Sequence, residues 1–250
     1  MNLGSAIVVQ SRVSVLFEPV QGIRKNIFAI EESLNNQFLA PNLIPVPDDA
    51  PGEIPRIELR SKNGHSMMQF SQIRADLTTQ YDGNFNADHH ACFSYIKEKG
   101  SLLSGAINVF QPDVAVTALS ITVRWPAKDD VNESIKSMKG MFLTDCMSVD
   151  DLEDFRINKT TWVRNDYFLL TTVNNYRVFA ASTPIETPHP SLANLELKEH
   201  GLEMELEIND KRTFNLTAAR SKGLVQLDRF VDFLADRISS PPCLNVKEPK

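Results

Sequence analysis

Leu202, Met204, Leu206 and Ile208 alternate without a break with Glu203, Glu205 and Glu207. A period of two is the signature of a strand with one face in a core and the other in water. No helix can satisfy that pattern, because successive helical side chains are rotated by about 100°. The segment therefore demands a sheet that is covered on one side, and an apolar stripe elsewhere in the chain has to do the covering.

Such stripes are present. Ile23, Ile27, Ile30, Leu34 and Phe38 recur at helical spacing, with Arg24, Lys25, Glu31, Glu32 and Asn35 on other faces. Residues from about Ala87 to Phe110 repeat the pattern with Phe93, Ile96, Leu103 and Ile107. Gly100 and Gly105 weaken that helix, since each costs about 1 kcal/mol against alanine. Ile135, Met138, Met141 and Phe142 predict a short helix, and Ser148-Val149-Asp150-Asp151 opens another. Leu224, Leu227, Phe230, Val231, Leu234 and Ile238 form a closing amphipathic helix.

The remaining apolar segments read as strands. Ile7 to Phe17 is rich in β-branched residues, with an irregularity expected near Ser11. Pro41, Pro45, Pro47, Pro51 and Pro55 mark an extended surface connection of the kind that often carries function. Ile57 and Leu59, the turn Asn63-Gly64, and a return strand through Met68, Phe70, Ile73 and Leu77 form a hairpin. Val114 to Val123 is a strand closed by Trp125-Pro126. Tyr167 to Ala180 reads as a hairpin turning at Asn174-Asn175, and Leu195 to Ile208 as a second one turning at His200-Gly201. Phe214 and Leu216 add a strand.

The order of the first elements is β-α-β-β-α-β, the ferredoxin-like pattern. The expected fold is thus α+β. A ferredoxin-like lobe spans residues 1–126, an antiparallel-sheet lobe closed by the C-terminal helix spans 127–240, and residues 241–250 are a flexible tail.

The 250 residues carry 26 Lys and Arg against 32 Asp and Glu, a formal net charge of −6. That balance disfavours nucleic acid and anionic lipid as partners, because each phosphate contact needs a cation. Cys92, Cys146 and Cys243 form no CxxC pair, so a zinc ribbon or redox dithiol is not expected. The first residues lack a basic, apolar leader, and no apolar run reaches membrane-spanning length. A cytoplasmic protein is the expectation.

The strings that tempt a chemical reading fail on spacing. Asp88-His89-His90 resembles a phosphoesterase fragment but lacks the further metal ligands such sites use, and adjacent helical histidines diverge. Arg60 and His65 have a ribonuclease-like spacing but flank a hairpin turn. Glu58, Lys62, Asp48 and Asp49 lack the two-residue step that would aim a carboxylate and a lysine together. Asp150, Asp151, Glu153 and Asp154 lack EF-hand spacing. Ser101 and Ser104 do not form a nucleophile elbow, and Cys146 has no histidine nearby in sequence. Lys211, Arg212, Arg220 and Lys222 form a basic cluster without interleaved aromatics. Tyr167 and Phe168 are expected to pack in the core. No cofactor or metal is expected.

Val13-Ser14-Val15-Leu16-Phe17-Glu18-Pro19, the helix after it, and the segment from Ile54 to Ser71 resemble an uncharacterised, sporadically distributed bacterial protein family of about this length. Ser61, Gly64 and Gln69 match its Ser-x-x-Gly turn and the central glutamine of its next strand. The resemblance covers residues 5 to about 125 and implies no activity. The favoured function is a non-enzymatic binding or scaffold subunit acting through a protein partner, with Glu203, Glu205 and Glu207 as the binding face. The alternative is an RNA-processing or RNA-binding factor, which would need a basic groove from Arg56, Arg60, Lys62, Arg74, Lys211 and Arg212.

Overall fold

A computed structural model describes residues 3–83, 85–111, 114–142, 154–163, 167–181, 195–211 and 225–238. They form one antiparallel sheet of nine strands with four α-helices. The strands are β1 (Ile7–Phe17), β2 (Asn42–Leu43), β3 (Ile57–Arg60), β4 (Ser66–Phe70), β5 (Arg74–Gln80), β6 (Val114–Pro126), β7 (Arg156–Val163), β8 (Tyr167–Ala181) and β9 (Leu195–Asn209). The helices are α1 (Ile27–Ser33), α2 (His89–Asn108), α3 (Val131–Phe142) and α4 (Val225–Ala235).

The spatial order is β2-β3-β4-β5-β1-β6-β9-β8-β7. Two sheets were expected, one on each side of residue 126, but β6 pairs with β9 from Ala118↔Asn209 to Pro126↔Gly201 and makes them one.

Alternation assigns each strand residue to a face. Val13, Val15 and Phe17 of β1 lie on the same side as Leu119, Ile121 and Val123 of β6, and as Leu202, Met204, Leu206 and Ile208 of β9. All are buried in a single core. Ile30 and Leu34 near α1, Phe93, Ile96 and Leu103 of α2, and Leu227, Phe230 and Leu234 of α4 join that core. The demand set by the alternating segment is met by these three helices on the inner face, while α3 sits near the Gly201 end.

Several elements depart from the expectations. The stripe from Ile23 is a 3-10 turn followed by a helix that ends at Ser33. Asn35 and Asn36 adopt positive φ, a conformation asparagine tolerates, and they stop it. The stripe is buried all the same at Ile23, Ile30, Leu34 and Phe38. The return strand of the first hairpin is two strands, β4 and β5, because Ser71 turns the chain: its Oγ accepts from the Ile73 and Arg74 amides. The step from Phe70 to Ile73 breaks the period of two at that point.

Neither C-terminal hairpin exists. β8 runs straight through Asn174-Asn175 and pairs with a continuous β9. Asn175 serves as a cross-link instead: its Oδ1 accepts from the Phe155 amide at 2.8 Å and its amide donates to Asp154 at 2.7 Å. Gly201 is there for a close approach, since a Cβ would stand 2.2 Å from the Trp125 carbonyl oxygen. Gly100 likewise leaves room on α2 for Leu227 of α4. β7 was not anticipated, because only Ile157, Trp162 and Val163 of its eight residues are large and apolar.

The proline-marked connection is ordered and includes β2, which pairs with β3. Arg24 holds it by donating to the Ile44 and Val46 carbonyls, and Arg56 by donating to those of Ile54 and Ala50. The expected helix at 148, the strand at Phe214 and the tail lie outside the described residues. No helix among the described residues is long and apolar enough to cross a membrane.

Candidate functional site: the outer face of the sheet

The face opposite the core carries the other half of the alternation, and α1, α2 and α4 do not cover it. Its N-terminal half is organised around Asp76, which is 6% exposed. Asp76 Oδ1 accepts from Ser14 Oγ at 2.6 Å and from Arg12 Nε at 3.2 Å. Arg74 Nε lies 2.8 Å from Oδ2, an ion pair whose N–H does not point at the oxygen. Beside it on the sheet, Glu58 accepts from Arg60 at 3.1 Å and from the Gln69 amide at 3.1 Å.

The C-terminal half is built on β9. Glu203 sits directly across from Arg124 and accepts from its Nε at 2.7 Å, and Asn174 adds a longer bond at 3.3 Å. The Arg124 guanidinium stacks over the Tyr176 ring at 4.5 Å. Tyr176 donates to Glu199 at 2.8 Å. Burial, then that acceptor, push the Tyr176 phenol well above its usual range. Glu207 accepts from Asn209 at 3.0 Å. Glu205 is half-buried and has no cation in pairing range among the described residues. It lines a shallow recess of about 570 Å³ with Asp154, Phe155, Arg156, Asn174, Asn175 and Glu203.

Glu203, Glu205 and Glu207 therefore do project from one face, as their alternation requires, and two of them border a recess. Arg124, Tyr176, Asp76 and Arg12 were not singled out from the sequence. For Arg124 and Asp76 the signal was available, since each falls between inward apolar residues on its own strand, whereas Tyr176 lies between Asn175 and Arg177 and Arg12 follows Ser11.

The remaining strings are dispersed. Asp88 caps α2 by accepting from the Ala91 amide at 3.0 Å, His89 contacts the Ala6 carbonyl at 3.0 Å, and His90 is exposed. Among the described residues no group of three or more metal-ligating side chains occurs. His65 lies 3.8 Å from Asp82, away from the Arg60–Glu58 pair. Lys62 donates to Asn36, and Asp48 pairs with Arg24. Ser101 is exposed and Ser104 half-buried on α2. Asp154 bonds Asn175, while Asp150, Asp151 and Glu153 lie outside the described residues.

Cys92 is buried, and desolvation pushes its thiol up to about 12, which leaves it inert. Cys146 and Cys243 lie outside the described residues. Of the residues named for a groove, Arg56 is 1% exposed beneath the connection, Arg60 and Arg74 pair with Glu58 and Asp76 on the outer face, and Lys211 follows the end of β9, while Arg212, like Arg220 and Lys222, lies outside the described residues. Tyr167 packs edge-on against Phe230 of α4 at 5.1 Å, whereas Phe168 is on the outer face opposite Trp162, which is 63% exposed. The Ser61-x-x-Gly64 turn is tied to α2, because Ser61 Oγ accepts from the Ser66 amide and Ser66 donates to Tyr95. No protein-family model and no curated protein matches the chain.

Proposed function

We propose that the chain is a non-enzymatic binding or scaffold subunit that engages a protein partner through the outer face of its sheet, with Glu203, Glu205 and Glu207 at the contact. The observation that supports this most is the face that α1, α2 and α4 leave uncovered: among the described residues it is a wide, half-buried array of charged and amide side chains with the recess beside Glu205. A protein surface suits such an array, since specificity there comes from complementary charge and shape rather than from a convergent nucleophile, base or metal. On the fold, the order β4-β5-β1-β6 with α1 and α2 on one face supports a ferredoxin-like ancestry for the N-terminal half, with β3 added between the helices.

The test is affinity capture from an extract supplemented with an untagged copy of the chain, with the wild type and with Glu205→Lys/Glu207→Lys as bait, both verified as folded. A chain retained by the wild type and lost by the variant supports the reading. Equal recovery on both baits, or none on either, sinks it.

A further inference from the structure

The charges of the outer face are sorted by half. From β3 to β6 the outward positions hold Arg60, Arg74, Arg12 and Arg124 against Glu58 and Asp76. From β9 to β7 they hold Glu199, Glu203, Glu205 and Glu207 against Arg156. One surface thus presents a cationic half and an anionic half, and the seam between them is the β6–β9 pair.

Resting on the binding role proposed above, we infer that the partner of this face is a second copy of the same chain, stacked outer face to outer face about a two-fold axis parallel to the strands at that seam. A two-fold interface is isologous, so the same patch must complement itself. Rotation about an axis along the strands exchanges the two halves. It lays β9 of one copy over β6 of the other, and β8 over β1. Glu203 then faces the other copy's Arg124. Glu207, which shares its level with Ser120 and Arg12 in the register, comes down beside the other copy's Arg12. The other in-plane axis, across the strands, would set each half over its like and is opposed by repulsion.

The dimensions suffice. About that axis β9, β8 and β7 of one copy overlie β6, β1 and β5 of the other; these six strands at about 4.8 Å spacing span roughly 30 Å, and the seven levels from Glu203 to Asn209 add roughly 20 Å of depth, a footprint on the order of 600 Å² per partner, near the lower end of a standard interface. Leu16, Leu170 and Trp162, exposed by 38%, 36% and 63%, add apolar area on the same face. Because the attraction is between half-exposed charges, it weakens with salt.

Sedimentation velocity of the full chain over a concentration series, in 50 mM and 500 mM salt, tests this. A dimer whose dissociation constant rises at least tenfold between the two salts is expected. Glu205→Lys/Glu207→Lys should raise it at least tenfold at low salt, and Arg12→Ala should raise it by less. Glu31→Lys/Glu32→Lys on α1, which makes the same change in net charge away from the face, should leave it unaltered. If the lysine pair perturbs folding by circular dichroism, Glu205→Gln/Glu207→Gln replaces it with the same direction expected. A wild type that stays monomeric, or a dimer indifferent to the β9 variants, overturns the inference. Capture of a different chain by a monomeric wild type, lost in the variant, would overturn it while leaving the binding role intact.

Discussion

The inner and outer faces of the sheet are made by the same strands, residue by alternate residue, yet they are held by different physics. On the inner face, Val13, Leu119, Ile121, Leu206 and Ile208 meet three helices and are all but removed from water. Each such side chain contributes about 1.5–3 kcal/mol by burial, and the interaction tolerates no vacancy. On the outer face, Arg12, Glu203 and Arg124 remain beside solvent, where ion pairs contribute about 0–1 kcal/mol each. The inner face therefore specifies the fold, and the outer face is free to be shaped by what it touches.

Substitutions can break this contrast or sharpen it. Leu34→Ala removes a fully buried side chain from the inner core and should cost about 2–5 kcal/mol in urea unfolding. A cost below about 0.5 kcal/mol would show that the residue ending α1 is not core at all. Gly201→Ala should cost about 1–3 kcal/mol, because its Cβ would press on the Trp125 backbone, which cannot rotate away as a side chain could. An unchanged midpoint there would mean that β9 is not held against β6 at this level.

Asp76→Ala probes the one outer-face carboxylate among the described residues that is buried like the core. It strands Arg12, Arg74 and Ser14, and a loss of about 1–3 kcal/mol is expected, more than for any other outer-face charge. The tyrosines test the contrast by pH. Burial raises the phenol pKa of Tyr81 on the inner side and of Tyr176 on the outer side. A folded pKa above the unfolded value near 10 means that stability is intact below pH 10 and falls as pH climbs beyond it, when the unfolded chain ionises first. Thermal melts at pH 8 and pH 10.5, compared with Tyr81→Phe and Tyr176→Phe, should show the drop in the wild type and a smaller one in each variant. The smallest effect is expected for Glu205→Lys/Glu207→Lys, within about 0.5 kcal/mol of the wild type in stability when both are unfolded at a concentration and salt where the wild type is monomeric. A large loss there would make the acidic row part of the folding machinery.

Much of the inner face was legible in the sequence, because burial imposes a period. The run in β9 named its inward residues, and the stripes of α2 and α4 named theirs; in β1 the register shift between Val8 and Gln10 turns Val8 inward, not Ile7 or Val9. The helix-stop at Asn35-Asn36 was harder, since a local left-handed turn leaves the apolar spacing of Leu34 and Phe38 undisturbed. β7 was invisible for the opposite reason. At this edge only Ile157 and Val163 reach the core, while the inward positions between them hold Lys159 and Thr161 and the outer face holds Trp162, so Arg156 to Val163 carries no clear apolar period.

The acidic row shows where sequence and structure divide. Alternation alone put Glu203, Glu205 and Glu207 on the wet side of a strand, because strand geometry is local. It could not say which strand would lie beside them. Asn174-Asn175 and His200-Gly201 look like turns when read locally, and would have folded β8 and β9 back on themselves. Pairing with β6 decided otherwise: Gly201 meets the Trp125 backbone, Arg124 meets Glu203, and the arginine and glutamate halves come to share one face. Those partners are separated by about eighty residues of chain, and only long-range strand pairing, paid in loop-closure entropy and recovered by burying the inner face, brings them together.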